Sequence, residues 1–247
     1  MKSLVYSLGF IASVAVSTSF AVTATSFSSF GGVEEPTQIY HPSSNSFTND
    51  SYDNTTSPGS GIFKFELRFT STFWDGDRAT NQTDRQRAEV RQLGTRQKHN
   101  ETFEYTSTWK TNSSFKRGGH FTHVTQVKAK DGDNAPPLVV ITILSDTTFA
   151  LQKCSGSDGG LNSVATNGFS AGTSYTTKIR LKASTSSSGS LQFSVNGGAL
   201  KGKTGIAMYR PSATEYHPKW GLYRGLDKND SIATATVEHR GVSSNKL

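Results

Sequence analysis

The sequence predicts an all-β fold, a two-sheet antiparallel β-sandwich of jelly-roll type with a concave groove. After the N-terminus, no stretch keeps apolar residues at the i, i+3, i+4, i+7 spacing of an amphipathic helix. Segments of alternating apolar and polar residues recur instead, separated by polar turns rich in Ser, Thr and Gly. No repeat of about 20 to 50 residues is visible, which argues against propellers and solenoids. About ten strands in one domain fit a two-sheet sandwich.

The segment from Gly61 to Phe69 shows the strand pattern clearly, because its apolar residues alternate with charged ones. Such alternation is typical of a strand that is buried on one face. Asn196-Gly197 and Asp131-Gly132 are dipeptides typical of β-hairpin turns. Further strands are expected near residues 85–93, 102–110, 119–130, 138–144, 147–153, 174–183, 190–195, 207, 219–224 and 231–240.

The 247 residues fit one large domain with a short leader. Residues 1–24 are predicted to be a signal peptide, because Lys2 precedes an apolar run and small residues lead to a cleavage site after Ala24. Residues 25–60 are expected to be a mostly irregular Ser/Thr-rich lead-in at the domain edge, with one edge strand around Gln38 to Tyr40. Residues 61–247 are expected to form the jelly-roll domain.

The leader predicts a secreted, extracellular protein. Sequons for N-glycosylation suit the surface loops of such a protein; they lie at Asn49, Asn54, Asn81, Asn100, Asn112 and Asn229. The single cysteine, Cys154, excludes a disulfide framework and a Cys-rich zinc site, and we expect it to be a buried thiol. No cofactor is required by the chemistry inferred below. A structural calcium on Asp75 to Asp77 or Asp131 to Asp133 stays an open alternative.

The charge balance favours an anionic partner. The chain has 26 Lys and Arg against 19 Asp and Glu, a net charge of +7, and such a field attracts polyanions. The Lys/Arg-rich runs of nucleic-acid-binding tails are missing, and secretion removes most nucleic acid from reach, so we expect no nucleic-acid partner. No second apolar run is long enough to span a membrane. An anionic polysaccharide is therefore the expected partner. The protein is expected to be a monomer.

The first candidate site strand carries two arginines and a glutamate on one face. Ala88 and Val90 point one way, so Arg87, Glu89 and Arg91 project together from the other. One interpretation is a solvated outer face with a cross-strand ion pair. The functional interpretation is a groove floor, where the glutamate positions one arginine and the other binds a substrate carboxylate.

The second candidate strand carries Gln126 and Lys128 on one face, because Val127 and Ala129 are expected to face the core. This alternation places His123 on the core side unless a bulge shifts the register. A histidine beside core residues is more often structural than catalytic. A glutamine in mid-strand can donate to a carboxylate without gaining or losing a proton.

The third candidate strand places Lys219, Gly221 and Tyr223 on one face, since Trp220 and Leu222 are expected to face the core. Gly221 is interpreted as an open gap for a ligand between a cation and a phenol. The structural alternative is an edge strand whose tyrosine caps the sandwich.

These three segments together resemble the signature strands of jelly-roll polysaccharide lyases, over residues 61–240. In the alginate lyases of this group the motifs are Arg-(Thr/Ser)-Glu-Leu-Arg, Gln-(Ile/Val)-His and a late Tyr-Phe-Lys-Ala-Gly-X-Tyr. The first matches Arg87 to Arg91, and the last keeps the spacing from Lys219 to Tyr223. His123 precedes Gln126 instead of following it. That order, with the ending Trp-Gly-Leu-Tyr-Arg, is more similar to the glucuronan lyase family.

The resemblance implies β-elimination on a polyuronate. In that reaction the C5 proton beside the carboxylate is removed and the C4 oxygen departs. The implied catalytic residues are Tyr223, as base and acid, with Gln126 and Arg87 neutralising the carboxylate. Lys219 is expected to favour the ionised phenol. The implied substrate-binding residues are Arg91, Glu89, Lys128 and Lys219.

Three alternatives stay open at this point. A glycoside hydrolase needs two carboxylates about 5 to 10 Å apart, but Glu66, Glu89, Glu104 and Glu238 each stand among cations or apolar residues. A non-catalytic module with a basic groove would bind acidic glycans without cutting them. An alginate lyase would act on a different uronate. Only eliminative cleavage creates an unsaturated uronate that absorbs ultraviolet light.

Overall fold

The computed structural model describes residues 21–24, 26–27, 30–34, 38–41, 43–44, 46–49, 53–59, 61–76, 84–93, 96–156, 160–226 and 233–247. These residues form nineteen β-strands and no α-helix. The strands are β1 (Ala21–Thr23), β2 (Phe30–Glu34), β3 (Gln38–His41), β4 (Ser46–Asn49), β5 (Thr55–Gly59), β6 (Ile62–Leu67), β7 (Trp74–Asp75), β8 (Arg85–Leu93), β9 (Gln97–Lys98), β10 (Thr102–Thr111), β11 (Thr122–Ala129), β12 (Val139–Ser145), β13 (Thr148–Lys153), β14 (Asn162–Gly168), β15 (Ser174–Lys182), β16 (Ser184–Val195), β17 (Lys201–Met208), β18 (Glu215–Gly225) and β19 (Ala235–Lys246).

Two antiparallel sheets of eight strands form the sandwich. The supporting sheet has the order β17-β16-β15-β10-β19-β6-β5, with β1 paired to β19. The site sheet has the order β14-β13-β12-β11-β18-β8-β2, with β9 paired to β18. Strands β4, β3 and β7 form a smaller third sheet. The predicted two-sheet jelly roll is confirmed.

The core lies between the two large sheets and is rich in aromatic side chains. Phe63, Phe65 and Leu67 of β6 are fully buried, as their alternation predicts. Trp109 of β10 meets Phe149 of β13 edge to face, with ring centroids 5.2 Å apart, and so joins the two sheets. Each buried ring of this kind contributes about 1.5 to 3 kcal/mol through removal of apolar area from water.

The turn predicted at Asn196-Gly197 agrees with the backbone, whereas Asp131-Gly132 is part of a longer loop and not a short hairpin turn. Asn196 and Gly197, between β16 and β17, have φ of 52° and 75°, the positive values that a type I′ hairpin turn requires. Gly132 also has a positive φ, 59°, within the longer loop between β11 and β12. The strand β14 was not predicted, because it lies at the edge of the site sheet and its side chains show no regular alternation of burial.

The lead-in is more regular than its composition suggests. We expected one strand near Gln38 to Tyr40, which is β3, but β2, β4 and β5 also lie within residues 25–60. These short polar strands gain their backbone hydrogen bonds by pairing with neighbouring strands, so side-chain patterning is not needed to specify them. Residues 21–23 of the expected leader pair with β19. Residues 1–20 lie outside the described part of the chain, and the signal peptide stays a prediction.

The outer face of the supporting sheet carries paired charges. Glu104 forms ion pairs with Lys178 at 2.8 Å and with Arg180 at 3.0 Å. These neighbouring strands therefore offer alternating charge rather than a row of cations. The described residues include no helix with the length and apolarity needed to cross a bilayer.

Candidate active site

The outer face of the site sheet carries the polar residues of β8 and β18. Ala88, Val90, Trp220 and Leu222 are buried in the core, so the residues alternating with them project from the opposite face, as predicted. The antiparallel register pairs Arg87 with Tyr223, Glu89 with Gly221 and Arg91 with Lys219.

Strand β11 completes this face on the other side of β18. Its register sets His123 opposite Tyr223 and Gln126 opposite Lys219, with an irregularity between them. Val124 is buried in the core, and the bulge after it lets residues three apart share the outer face. His123 therefore lies on the same face as Gln126, the alternative that the sequence left open.

Two guanidinium groups surround the phenol of Tyr223. Arg85 Nη1 donates to the phenol oxygen at 3.3 Å. The guanidinium carbon of Arg87 lies 4.1 Å from the centroid of the tyrosine ring, in a cation–π contact. Phe121 packs edge to face on the same ring, with centroids 4.9 Å apart. Arg85 was missed as a site residue, although its two-residue spacing from Arg87 predicts the same face.

Glu89 fixes the amide of the site. Gln126 Nε2 donates to Glu89 Oε1 at 2.5 Å, and Arg87 Nε lies 3.8 Å from Glu89 Oε2. Glu89 has no exposed surface, while Gln126 and Arg87 keep 2% and 9%. Because an amide has two N–H donors and Glu89 takes one, the other is available to a ligand. The structure thus places Arg87, Glu89 and Gln126 together, in the arrangement that the sequence predicted for the glutamate.

His123 is held as a neutral imidazole. Its Nδ1 lies 2.5 Å from Thr142 Oγ1, its ring stacks on Phe121 at 4.9 Å, and its centroid is 6.1 Å from that of Tyr223. Burial lowers the pKa of His123 to about 3, and the charge of Arg87 acts in the same direction. The engagement of Nδ1 leaves Nε2 as the nitrogen for a ligand. Thr142 was not predicted, because its strand is otherwise a run of apolar residues. His120, the other histidine considered, is exposed.

The remaining cations continue the site along the sheet. Lys219 is 4% exposed and lies in register between Gln126 and Arg91. Arg91 is exposed, and its side chain lies over Gly32, where an added Cβ would be 2.7 Å from Nε. Lys128 is partly exposed and its Nζ donates to the carbonyl of Ala135 at 3.3 Å. These groups form a basic path beside Gln126.

Two expectations about β18 are wrong. Lys219 is four residues from Tyr223, about 13 Å along an extended strand, so the cations beside the phenol are Arg85 and Arg87 instead. Gly221 does not provide an open gap. Its φ is 146°, and a Cβ there would lie 2.2 Å from the carbonyl oxygen of Ala88, so close approach of β8 and an unusual backbone conformation require the glycine.

Glu89 belongs to a strand that is paired on both sides. The register of β2 and β8 pairs Glu34 with Glu89 along the backbone. Glu89 itself is engaged by Gln126 and Arg87. This engagement suits a residue that orients its neighbours.

The carboxylates considered for calcium have protein partners. Asp75 accepts from Arg68 at 2.7 Å and from Asn54 at 2.9 Å. Asp131 accepts from the Thr214 hydroxyl at 2.5 Å, and Asp133 forms an ion pair with Arg210. Asp77 lies outside the described residues. Within the described ranges, no group of three or more His, Cys, Asp or Glu side chains is placed to hold a metal ion.

A family model described as "Polysaccharide lyase" matches residues 26–239. The chain belongs to the polysaccharide lyase family. The match covers all three candidate strands of this lyase and, apart from β1 and the end of β19, both large sheets. No curated protein sequence matches it.

Solved structures share the fold of this lyase at low sequence identity. An endo-β-1,4-glucuronan lyase from the fungus Trichoderma reesei is 15% identical, with a TM-score of 0.65 over 92% of this chain and 95% of that one. The alginate lyase from Klebsiella pneumoniae is 10% identical, with a TM-score of 0.56 over 87% and 94% of the two chains. A family 7 alginate lyase in complex with product is 18% identical, with a TM-score of 0.54 over 85% and 94%.

Proposed function

We propose that this lyase cleaves a polyuronate, a glucuronan-like polymer of β-1,4-linked glucuronic acid, by β-elimination. The observation that carries the proposal is the convergence of Tyr223, Arg87, Gln126 and His123 on one face of the site sheet. The likeness in fold to a glucuronan lyase over most of both chains supports glucuronan as the substrate. The order of His123 before Gln126 favours it over alginate.

The first task of the site is to neutralise the substrate carboxylate. The C5 proton is very weakly acidic while this group is charged, so donors must stabilise the enolate-like charge that develops. The free N–H of Gln126 and the guanidinium of Arg87 lie side by side, both held by Glu89. Because these donors are fixed and buried, little reorganisation accompanies the reaction, and each contributes more than it would in water.

The second task is proton transfer, which we assign to Tyr223. As a phenolate it removes the C5 proton, and as a phenol it gives a proton to the C4 oxygen, so that the C5–H and C4–O bonds break and a C4=C5 double bond forms. Arg85 at 3.3 Å and Arg87 at 4.1 Å stabilise the negative charge on this residue. In glucuronate the C5 hydrogen and the C4 oxygen lie on the same side of the sugar ring, so one group can serve both proton transfers. Such help is worth about 10² to 10⁴ in rate.

His123 supports the same centre as an uncharged group. A pKa near 3 keeps it neutral at ordinary pH, so it adds no charge beside the phenol. With Nδ1 engaged by Thr142, Nε2 can exchange a hydrogen bond with the sugar near Tyr223. We assign His123 this binding role.

Arg91, Lys128 and Lys219 are assigned to binding of the neighbouring uronates. They lie near Gln126 on three adjacent strands of the site sheet, β8, β11 and β18. Cations spaced in this way across a sheet match the repeating charge of a polyuronate. Exposed ion pairs are screened by salt, so raised salt is expected to weaken binding.

The setting of the reaction is also proposed. We propose that the chain is a secreted, extracellular monomer with N-glycans and that the reaction requires no cofactor. The basis is the apolar leader, the sequons and the net charge of +7. The sequons at Asn81 and Asn229 lie outside the described residues.

The decisive experiment compares glucuronan, alginate and pectate side by side. Glucuronan is expected to release an ultraviolet-absorbing unsaturated product faster than the other two. Faster release from alginate would make the chain an alginate lyase. Binding of all three without product would support a non-catalytic module, and new reducing ends without absorbance would support a hydrolase.

A further inference from the structure

Two of the N-glycosylation sequons form a matched pair. Within the described residues, Asn54 and Asn100 are the sequons of the form Asn-X-Thr, completed by Thr56 and Thr102. By sequence they are equal acceptors, because both have the residue types that N-glycosylation requires. Their side-chain amides lie in opposite environments, and this difference distinguishes the two sequons.

Asn54, which directly precedes β5, is only 1% exposed. Its Nδ2 donates to the carbonyl oxygen of Glu66 at 2.9 Å and to Asp75 Oδ2 at 2.9 Å. A carbonyl and a carboxylate can only accept, so these two partners fix which end of the amide carries the nitrogen and use both of its hydrogens. The side chain therefore ties the start of β5 to β6 and β7.

The carboxylate of Asp75 makes this amide hard to modify. Asp75 has no exposed surface, and it also accepts from the main-chain N–H of Arg68 at 2.6 Å and from its guanidinium at 2.7 Å. A glycosylated asparagine keeps a single N–H, so either Asp75 or the carbonyl of Glu66 would lose a donor inside the protein. The sugar would also need space where Asn54 has almost none. A chain glycosylated at Asn54 therefore cannot form this part of the fold.

Asn100 lies in the turn between β9 and β10. The N–H of Glu101 donates to the carbonyl of Lys98 at 3.3 Å, and the N–H of Asn100 donates to the carbonyl of Ala183 at 2.7 Å. Asn100 has a φ of 65°, a conformation that asparagine adopts more readily than most residues. Main-chain hydrogen bonds thus hold the turn, and the residue itself is exposed. Its amide can be substituted without loss of a buried contact.

We propose that Asn100 carries an N-glycan, and that Asn54 is a structural residue which stays unmodified in the folded protein despite its sequon. The sugar donor is a lipid-linked oligosaccharide diphosphate. The bond from Nδ2 of Asn100 to C1 of the first sugar forms as the C1–O bond to the diphosphate breaks, and the proton from Nδ2 leaves with the diphosphate. The inference rests on the secretion proposed above, since only a chain in that pathway meets the donor.

The position of Asn100 leaves the candidate active site clear. Strand β9 pairs with the start of β18, where Lys98 is opposite Glu215. Tyr223 lies near the other end of β18, about 26 Å from Glu215 at the usual rise per residue of a strand. The initial rate on glucuronan should therefore not depend on a glycan at Asn100.

Paired threonine substitutions test both assignments without a change to either asparagine. Thr56→Val and Thr102→Val each destroy one sequon and keep a β-branched side chain. The full chain is expressed in a eukaryotic host and recovered from the medium. Its glycans are released by an amidase in heavy-oxygen water, which converts each glycosylated asparagine to a labelled aspartate that mass spectrometry locates. The unmodified sequence should be labelled at Asn100 and not at Asn54. Thr102→Val should lose one glycan, and Thr56→Val should lose none.

Thermal unfolding of unglycosylated protein from a bacterial host gives a second readout. Asn54→Asp, which places a carboxylate beside the buried Asp75, should lower Tm by about 2 to 12 °C. The matched Asn100→Asp, at an exposed position whose φ aspartate also tolerates, should change Tm by less than about 2 °C. Asn54→Ser, which keeps one donor, is the milder variant if Asn54→Asp does not fold, and its Tm should also fall.

Several results would overturn the inference. These are a label at Asn54 or an unmodified Asn100 in folded protein from the medium, or equal Tm values for the Asn54 and Asn100 variants. A chain that stays inside the cells without any glycan would instead refute the proposed secretion, and the assignment of Asn100 with it. The Tm comparison would then decide the structural role of Asn54 by itself.

Discussion

Glu89→Gln isolates the charge that organises the site. The substitution keeps the shape of the side chain and an oxygen that accepts from Gln126, but it removes the attraction for Arg87. At 3.8 Å and an effective dielectric constant of about 20, that attraction is about 4 kcal/mol before desolvation. Relief of the buried charge offsets part of it, and the hydrogen bond from Gln126 also weakens by about 1 kcal/mol.

The net loss in the free energy of unfolding should be about 1 to 3 kcal/mol. For a chain of this size that corresponds to a fall in Tm of about 2 to 12 °C, measured by thermal unfolding at neutral pH. Turnover should fall at least about tenfold, because Arg87 and Gln126 then sample other orientations. The assay is the initial rate of unsaturated product on glucuronan.

Glu104→Gln is the matched control. Glu104 also has two cationic partners, at 2.8 and 3.0 Å, but it lies on the supporting sheet and the side chains of Lys178 and Arg180 are 39% and 35% exposed. Solvent screening limits its contribution to about 1 kcal/mol or less, and turnover should not change. If Glu89→Gln behaves like Glu104→Gln in both measurements, the organising role of Glu89 is refuted.

Three further predictions concern the phenol, the buried histidines and the glycine of β18. Tyr223→Phe should lower kcat by about 10² to 10⁴ with KM nearly unchanged; retained product formation would remove the phenol from the mechanism. Burial lowers the pKa of His123 and of His239 to about 3 in the folded protein, against 6.5 in the unfolded chain. The free energy of unfolding should therefore keep its full value above pH 6.5 and fall as the pH drops toward 3. The loss at pH 5 should be about 2 kcal/mol for each histidine. Urea unfolding at pH 7 and pH 5 checks this, and equal stabilities would contradict it. Gly221→Ala should destabilise the protein by more than about 1 kcal/mol, because a Cβ would meet the carbonyl of Ala88; an unchanged Tm would show that β8 and β18 can separate freely.

Alternation within strands was enough to predict much of the fold and part of the site. Phe63, Phe65 and Leu67 identify a half-buried strand without any tertiary information. The same logic places Arg87 and Glu89 on one face, because Ala88 between them must be buried. These inferences succeed because side-chain direction in a regular strand depends only on position parity.

Where the backbone is irregular, side-chain alternation no longer gives the face of a residue, and the sequence alone was insufficient to predict it. The face of His123 depends on a bulge that β11 shares with two neighbours, and no local pattern announces it. The pairing of Glu34 with Glu89 depends on which strand adds to the sheet edge. Gly221 was interpreted as space for a ligand because sequence alone does not reveal how closely β8 approaches it.

The single thiol of this chain is also a built-in reporter. Cys154 is fully buried, with Arg210 Nη1 donating to its sulfur at 3.0 Å. A thiol reagent can therefore reach it only when the structure around Cys154 and Arg210 opens. The rate of labelling would therefore track opening of the native state without any engineered probe. Oxidative dimers through Cys154 would form only from molecules that have already unfolded locally around this residue.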